Sequence, residues 1–223
     1  MILSRTTVSA SGRCAADWAA HEARLRGVPL RALSGPLSAT VRATAIVCGV
    51  RSTDAVPPPP LFGAQNTAVS APVVLVPEDR GPWQHRSGVV LGVDARDPAR
   101  AAIDFAFDCA RVQGGWLHAV HAWELPPDTA RLPFGVPDAD RATWEDQEVQ
   151  LLADVLRPWC ARYPGVPVLE DVRLLAPAGA LLRCSAKAAL IVIGRSPRAI
   201  GWGSVARALL PEAVCPLAVV PSS

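Results

Sequence analysis

Lysine is nearly missing from this chain: Lys187 stands alone, and the other 21 basic residues are arginines. The formal net charge is only +2, so this excess sets up no basic field for nucleic acid and reads as a high-G+C bacterial coding bias. Long apolar runs are also missing. None approaches the roughly 18 residues that a membrane span requires, and the opening MILSRTTVSAS holds too short an apolar segment for a secretory signal. No CxxC pair occurs among the six cysteines, Cys14, Cys48, Cys109, Cys160, Cys184 and Cys215. Most sit in apolar stretches, where a free thiol behaves as a small hydrophobe, which points to a reducing cytoplasm and away from disulfides or a metal. GxSxG, HExxH and P-loop patterns are absent, so nothing supplies a positioned general base or a recognised metal site, and no enzyme is expected.

What is present is a globular composition, half hydrophobic and 19% charged, and an internal repeat. The stretch from Pro36 through an Ala-rich segment to Gly49 and Arg51 matches that from Pro177 to Gly194 and Arg195. Asp17-Trp18-Ala19 with Arg24 and Gly27 parallels Asp104-Phe105-Ala106 with Arg111 and Gly114. Ala71-Pro72-Val73-Val74-Leu75-Val76-Pro77 parallels Cys215-Pro216-Leu217-Ala218-Val219-Val220-Pro221. A repeat of this length implies two copies of one structural unit.

The second copy reads completely. Gly88 to Val93 is a continuous apolar run, as expected of a strand buried on both faces. Asp97 is placed to cap a helix with Pro98 at its first position and Gly114 at its stop, and Ile103, Ala106, Phe107 and Ala110 form the core stripe. Trp116 to Trp123 is the next strand, followed by a Pro-rich loop from Leu125 to Ala142. Thr143 with Asp146 resembles a capping box opening a second helix, buried through Leu152, Val155, Leu156 and Trp159, which Pro158 should bend or end early. Strands at 166–174, 190–194 and 217–220 and helices at 178–187 and 205–212 complete an α/β alternation, which argues a five-stranded, mostly parallel, doubly wound sheet.

The first copy keeps the ends of this pattern without its middle. A strand within Met1 to Val8, a helix from Cys14 to Arg26 and a short strand from Pro29 to Leu33 lead directly to the helix and strand ending at Gly49. The second helix and third strand have no counterpart, and Pro57 to Pro60 is a stiff spacer. The expected division is a truncated, degenerate unit at 1–80, a linker at 81–87 and a complete unit at 88–223. The incomplete unit should pack on the complete one.

Several patterns carry less than they suggest. Gly201 to Ala206 fits GxGxxA, yet it starts seven residues past its strand and no acidic strand end follows. His118 and His121 lie three apart on a strand and so point to opposite faces, unable to chelate one ion as a pair. Glu145, Asp146 and Glu148 read as a solvated face complementing a helix dipole. Trp116, Trp123, Trp144 and Trp159 read as core or interface anchors.

In an open parallel sheet, ligands lie beyond the carboxyl ends of the strands where strand order reverses. Asp94, the Val120 to Trp123 strand end and Gly194 to Ser204 reach that edge. Here the chain resembles the universal stress protein family, over 88–223 in full and over 1–80 as a shortened copy. The resemblance is carried by Gly92-Val93-Asp94, His121-Ala122-Trp123, Val192-Ile193-Gly194-Arg195 and the closing Cys215 to Pro221. It implies an adenine nucleotide alpha-hydrolase-like fold, frequent tandem repetition, and pairing through the last strands, either within the chain or in a homodimer. In nucleotide-binding members an Asp after strand one contacts the nucleoside, and a Gly-x2-Gly-x9-Gly-[Ser/Thr] loop wraps the phosphates. Asp94, Gly194, Gly203 and Ser204 match that pattern, with Val120 at the strand-two end and Arg195 and Arg198 beside the loop.

The middle glycine is Pro197, and eight residues separate Gly194 from Gly203 where the pattern has twelve. Proline offers no N–H and cannot adopt the left-handed backbone that phosphate-cradling glycines use. Arg195, Arg198 and Arg207 either replace the missing donors or form a solvated loop, and Asp94 either meets a nucleoside or holds its own turn. In the first copy Ser9 takes the place of Asp94, and the loop from Gly49 to Gly63 holds the proline run, so no site is expected there. The expectation is a non-enzymatic, cytoplasmic stress-response protein with weak or lost nucleotide binding and no required cofactor. The alternative is an ATP- or AMP-binding regulator, with a nucleotide hydrolase behind it. Neither nucleic acid nor membrane is expected as a partner.

Overall fold

The computed structural model describes residues 1–5, 10–33, 43–50, 71–77, 87–125, 129, 136–196 and 201–221. Chain order is β1 (Ile2–Arg5), α1 (Ala10–Arg26), β2 (Leu30–Leu33), β3 (Ala45–Val50) and β4 (Val73–Pro77), then β5 (Gly88–Val93), α2 (Arg100–Gln113) and β6 (Trp116–Trp123). There follow α3 (Asp138–Arg162), β7 (Val168–Leu174), α4 (Pro177–Ser185), β8 (Ala188–Arg195), α5 (Ser204–Leu209) and β9 (Leu217–Pro221). The expected helix after Pro36, Ser9, the Pro57 to Pro60 spacer, the linker up to residue 86, Pro197 and Arg198 lie outside the described residues.

Among the described residues, nine strands form one sheet in the order β2-β1-β3-β4-β9-β8-β5-β6-β7. Within β1–β4 every pairing is parallel, as it is within β5–β9. The single antiparallel seam joins β4 to β9, with Val73 opposite Val219, Val74 opposite Ala218 and Leu75 opposite Leu217. Nearly every residue of β3, β4, β5, β8 and β9 is buried, the signature of strands covered on both faces. One core, running through Trp18, Val74, Leu91, Phe107, Leu156 and Ala218, lies under α1, α2 and α3. A second, running through Ile46, Leu75, Ile191, Leu181, Leu209 and Leu217, lies under α4 and α5. Each core crosses the seam.

A polar brace also crosses it. Arg26 at the end of α1 donates Nε to Glu22 Oε1 at 2.6 Å, pairs through Nη1 with Asp108 of α2, and donates Nη2 to Cys109 Sγ at 3.1 Å. Its guanidinium lies 5.9 Å from the Phe105 ring centroid, within cation–π reach. Asp108 also accepts from Arg111 at 2.5 Å. Burial alone would raise the Asp108 pKa, but the two arginines hold it below the usual carboxylate range.

The helix starts differ from expectation. Asp97 and Pro98 do not open α2; its N-cap is Ala99, with no side-chain cap. The start is fixed instead by Ala99 O, which accepts from the Ala102 and Ile103 N–H groups, and by Ala99 seating against Gly194. Gly114 does end the helix, in the left-handed conformation at φ 60°. Thr143 is no cap: α3 starts at Asp138, and Thr143 Oγ1 bonds back to Ala139 O at 2.9 Å inside the helix. Asp138 and Asp140 occupy the first turn, where they complement the dipole. Pro158 does not end α3, which runs to Arg162 because Leu156, Trp159, Cys160 and Tyr163 hold that end on the core.

Candidate functional site

Strand order reverses at β5, which pairs with β6 on one side and β8 on the other. At that switch point the carboxyl ends of the three strands border a cleft of about 920 Å³, with the start of α2, part of α4 and Val205 of α5 completing its walls. A volume of several hundred cubic ångströms is ordinary for a small-molecule site. Its apolar lining is Val93, Ile103, Val120, Ala122, Leu181 and Ile193, and Asp94, Arg96, Arg100 and Arg195 stand around it.

Of the expected site residues, Asp94, Val120, Gly194 and Arg195 line this cleft, whereas Gly203 and Ser204 do not. Val120 is buried in its wall. Asp94 is exposed, and its Oδ1 accepts the Arg96 backbone N–H at 3.0 Å, an Asx turn. Gly194 serves close packing: a Cβ there would meet the Ala99 Cβ at 2.3 Å, so only glycine lets the start of α2 sit on β8. Arg195 Nη1 donates to Gly201 O, and Arg207 Nε to Gly203 O, each at 3.4 Å. Both arginines thus engage carbonyls of their own loop. Gly203 has φ 84°, a value that favours glycine, and Ser204 begins α5 exposed to solvent.

Three neighbouring residues were not expected to act together. Glu148 is 4% exposed, which corrects its reading as part of a solvated face. Arg96 grips it with both terminal nitrogens, Nη1 to Oε2 at 2.8 Å and Nη2 to Oε1. His121, 1% exposed, places Nε2 at 3.0 Å from Glu148 Oε2. Nε2 thus faces the carboxylate, and Nδ1 lies 3.0 Å from Val93 O and 3.4 Å from the Ala95 backbone nitrogen. Burial would raise the Glu148 pKa, but hydrogen bonds from Arg96 and His121 outweigh it and hold the group below the usual glutamate value. The network ties α3 to the ends of β5 and β6. Its signal was legible: Glu148 lies one turn before Leu152 and two before Leu156, on the same buried stripe.

His118 and His121 do point to opposite faces, His118 toward Asp171 of β7 and His121 toward α3. Trp123 is 5% exposed on the cleft wall, and its indole N–H has no hydrogen-bond partner among the described residues.

Residues 86–221 match the family model described as Universal stress protein family. The chain belongs to the universal stress protein family. A universal stress protein of Mycolicibacterium smegmatis is 34% identical over 172 residues, 72% of this chain and 56% of that protein. One from Mycobacterium tuberculosis is 32% identical over 204 residues, 89% of this chain and 59% of that protein. The chain therefore spans little more than half the length of these curated relatives. A crystal structure of a universal stress protein from Archaeoglobus fulgidus aligns over the whole chain and 96% of its own, with TM-score 0.62 at 14% identity, which supports the fold. Among the described residues, no helix is long and apolar enough to cross a membrane.

Proposed function

We propose that this universal stress protein is a non-enzymatic, cytoplasmic stress-response regulator in which nucleotide binding is weak or lost. One observation carries the reading: Gly203 and Ser204, the loop residues that would hold phosphates, stand outside the cleft wall. The Asp94 carboxylate, which would meet the nucleoside, already accepts its own turn's N–H. Six scattered cysteines, four of them buried, suit a reducing compartment. Binding of ATP or AMP is the second reading, favoured by the volume and apolar floor of the cleft. Hydrolysis has less support, because His121 on the cleft wall commits Nε2 to Glu148.

The division into a truncated, degenerate unit at 1–80, a linker at 81–87 and a complete domain at 88–223 belongs to the same proposal. Its support is that β2-β1-β3-β4 repeats the order of β6-β5-β8-β9 and stops where β7 would follow. Pairing within the chain is favoured over a homodimer through the last strand, since β9 is flanked by β8 and by the chain's own β4. Titration of the purified protein with fluorescently labelled ATP tests the functional reading. No saturable signal at micromolar ligand is expected; saturable micromolar binding that Asp94→Ala abolishes would overturn it.

A further inference from the structure

On the face of the sheet opposite Glu148, three elements bring together residues that the cleft does not use. His118 on β6, Asp171 on β7 and Cys184 on α4 each offer a ligand atom, and the three atoms lie within 4.8 Å of one another. We propose that they form a binding site for a divalent transition ion of the zinc class.

The donor chemistry is the first argument. Imidazole, thiolate and carboxylate together suit a borderline ion such as Zn²⁺, whereas magnesium and calcium prefer oxygen alone. Thiolate and carboxylate neutralise the ion's two charges, and three protein ligands leave a fourth position for water. The spacing is the second. Tetrahedral zinc with ordinary bond lengths separates its ligands by about 3.3–3.8 Å. The ligand atoms lie within 4.8 Å of one another, and binding breaks the His118 Nε2–Asp171 Oδ2 contact, now 2.7 Å, so that Nε2 and Oδ1 turn to the ion.

Arg173 is the third. It donates Nε and Nη2 to Asp171 Oδ2 at 2.9 and 2.6 Å. His118 and Arg173 thus all address Oδ2, and Oδ1 is the oxygen that turns to the ion. Arg173 then orients the ligating carboxylate from behind, as outer hydrogen bonds do in metal sites. Its own charge stays partly in water, with a side chain 29% exposed.

Access is over the sheet border. β7 is an edge strand, and the Asp171 side chain is 22% exposed while His118 and Cys184 are buried. Binding replaces the S–H bond of Cys184 by a sulfur–metal bond and releases that proton to solvent. The ion therefore competes with the thiol proton, and its binding strengthens as pH rises. α4 carries Cys184 at one end and the cleft residues Pro177 and Leu181 at the other, so an ion here would pin a cleft wall.

The test is titration of the reduced, chelator-stripped protein with Co²⁺ as a spectroscopic probe, followed by Zn²⁺. The expected result is a thiolate-to-cobalt charge-transfer band that saturates at one equivalent and is displaced by Zn²⁺. The band should be lost in Cys184→Ser and at least strongly reduced in His118→Ala, and it should persist in Cys48→Ser and Cys215→Ser. No such band in the wild-type protein at stoichiometric cobalt would overturn the proposal, as would a band that survives Cys184→Ser in a variant of native circular dichroism.

Discussion

The seam between β4 and β9 and the cleft above β5 are each held by one arginine, and the two arginines differ. Arg26 at the seam has a side chain 9% exposed and reaches Glu22, Asp108 and Cys109 on two helices. Arg96 at the cleft is 62% exposed and grips one buried carboxylate. The seam is therefore a built interior, continuous with both cores, whereas the cleft is shaped by residues that still face water. A packing surface needs many matched contacts, and they are present. A phosphate site needs a few donors at one point; Gly203 and Ser204 are not among the residues lining the cleft, although the adjacent Val205 is.

Removing residues 1–85 should have the largest effect. It uncovers the β9 edge and the faces of Leu217 and Val219, so residues 86–223 alone should self-associate or precipitate. Light scattering would show this, and a soluble monomer of unchanged stability would contradict the seam's role. Arg26→Ala leaves Glu22, 2% exposed, without its cation, while Asp108 keeps only Arg111. Losing one partner of a buried pair costs about 3–5 kcal/mol, readable as a lower urea midpoint. Gly194→Val forces α2 off β8 and should cost about 1–3 kcal/mol, with partial rescue by Ala99→Gly, which removes the clashing methyl.

Glu148→Ala should cost less than the seam change, about 1–2 kcal/mol, because water screens Arg96 even though His121 is left unpaired. Its pH dependence has a definite sign. The folded pKa of Glu148 lies below its unfolded value, so its contribution is complete above the ordinary glutamate pKa and lost as pH falls through the depressed one. Urea midpoints of wild type and Glu148→Ala, measured as a function of pH, should therefore converge at low pH.

Strand identity was legible because buried parallel strands are continuous apolar runs, as in Gly88–Val93 and Val73–Pro77. Helix starts were less so. Asp97-Pro98 and Thr143 look like local caps, but Ala99 under Gly194 sets the start of α2, and the start of α3 precedes Thr143 by five residues. Asp94, Val120, Gly194 and Arg195 were placed on the cleft from the strand ends alone. Glu148 was missed because a carboxylate following Glu145 and Asp146 suggests solvent, and only its place on the Leu152 stripe argues otherwise. The partnership of His118 with Asp171 and Cys184 depends on sheet order, which pattern reading does not supply.

We propose that the cleft has shape without a phosphate grip. Thermal unfolding in millimolar ATP tests it most directly, since a ligand at 100 times its dissociation constant adds about 2.7 kcal/mol. The account predicts no shift in Tm, and none with Asp94→Ala. A dose-dependent rise of several degrees that Asp94→Ala removes would contradict it.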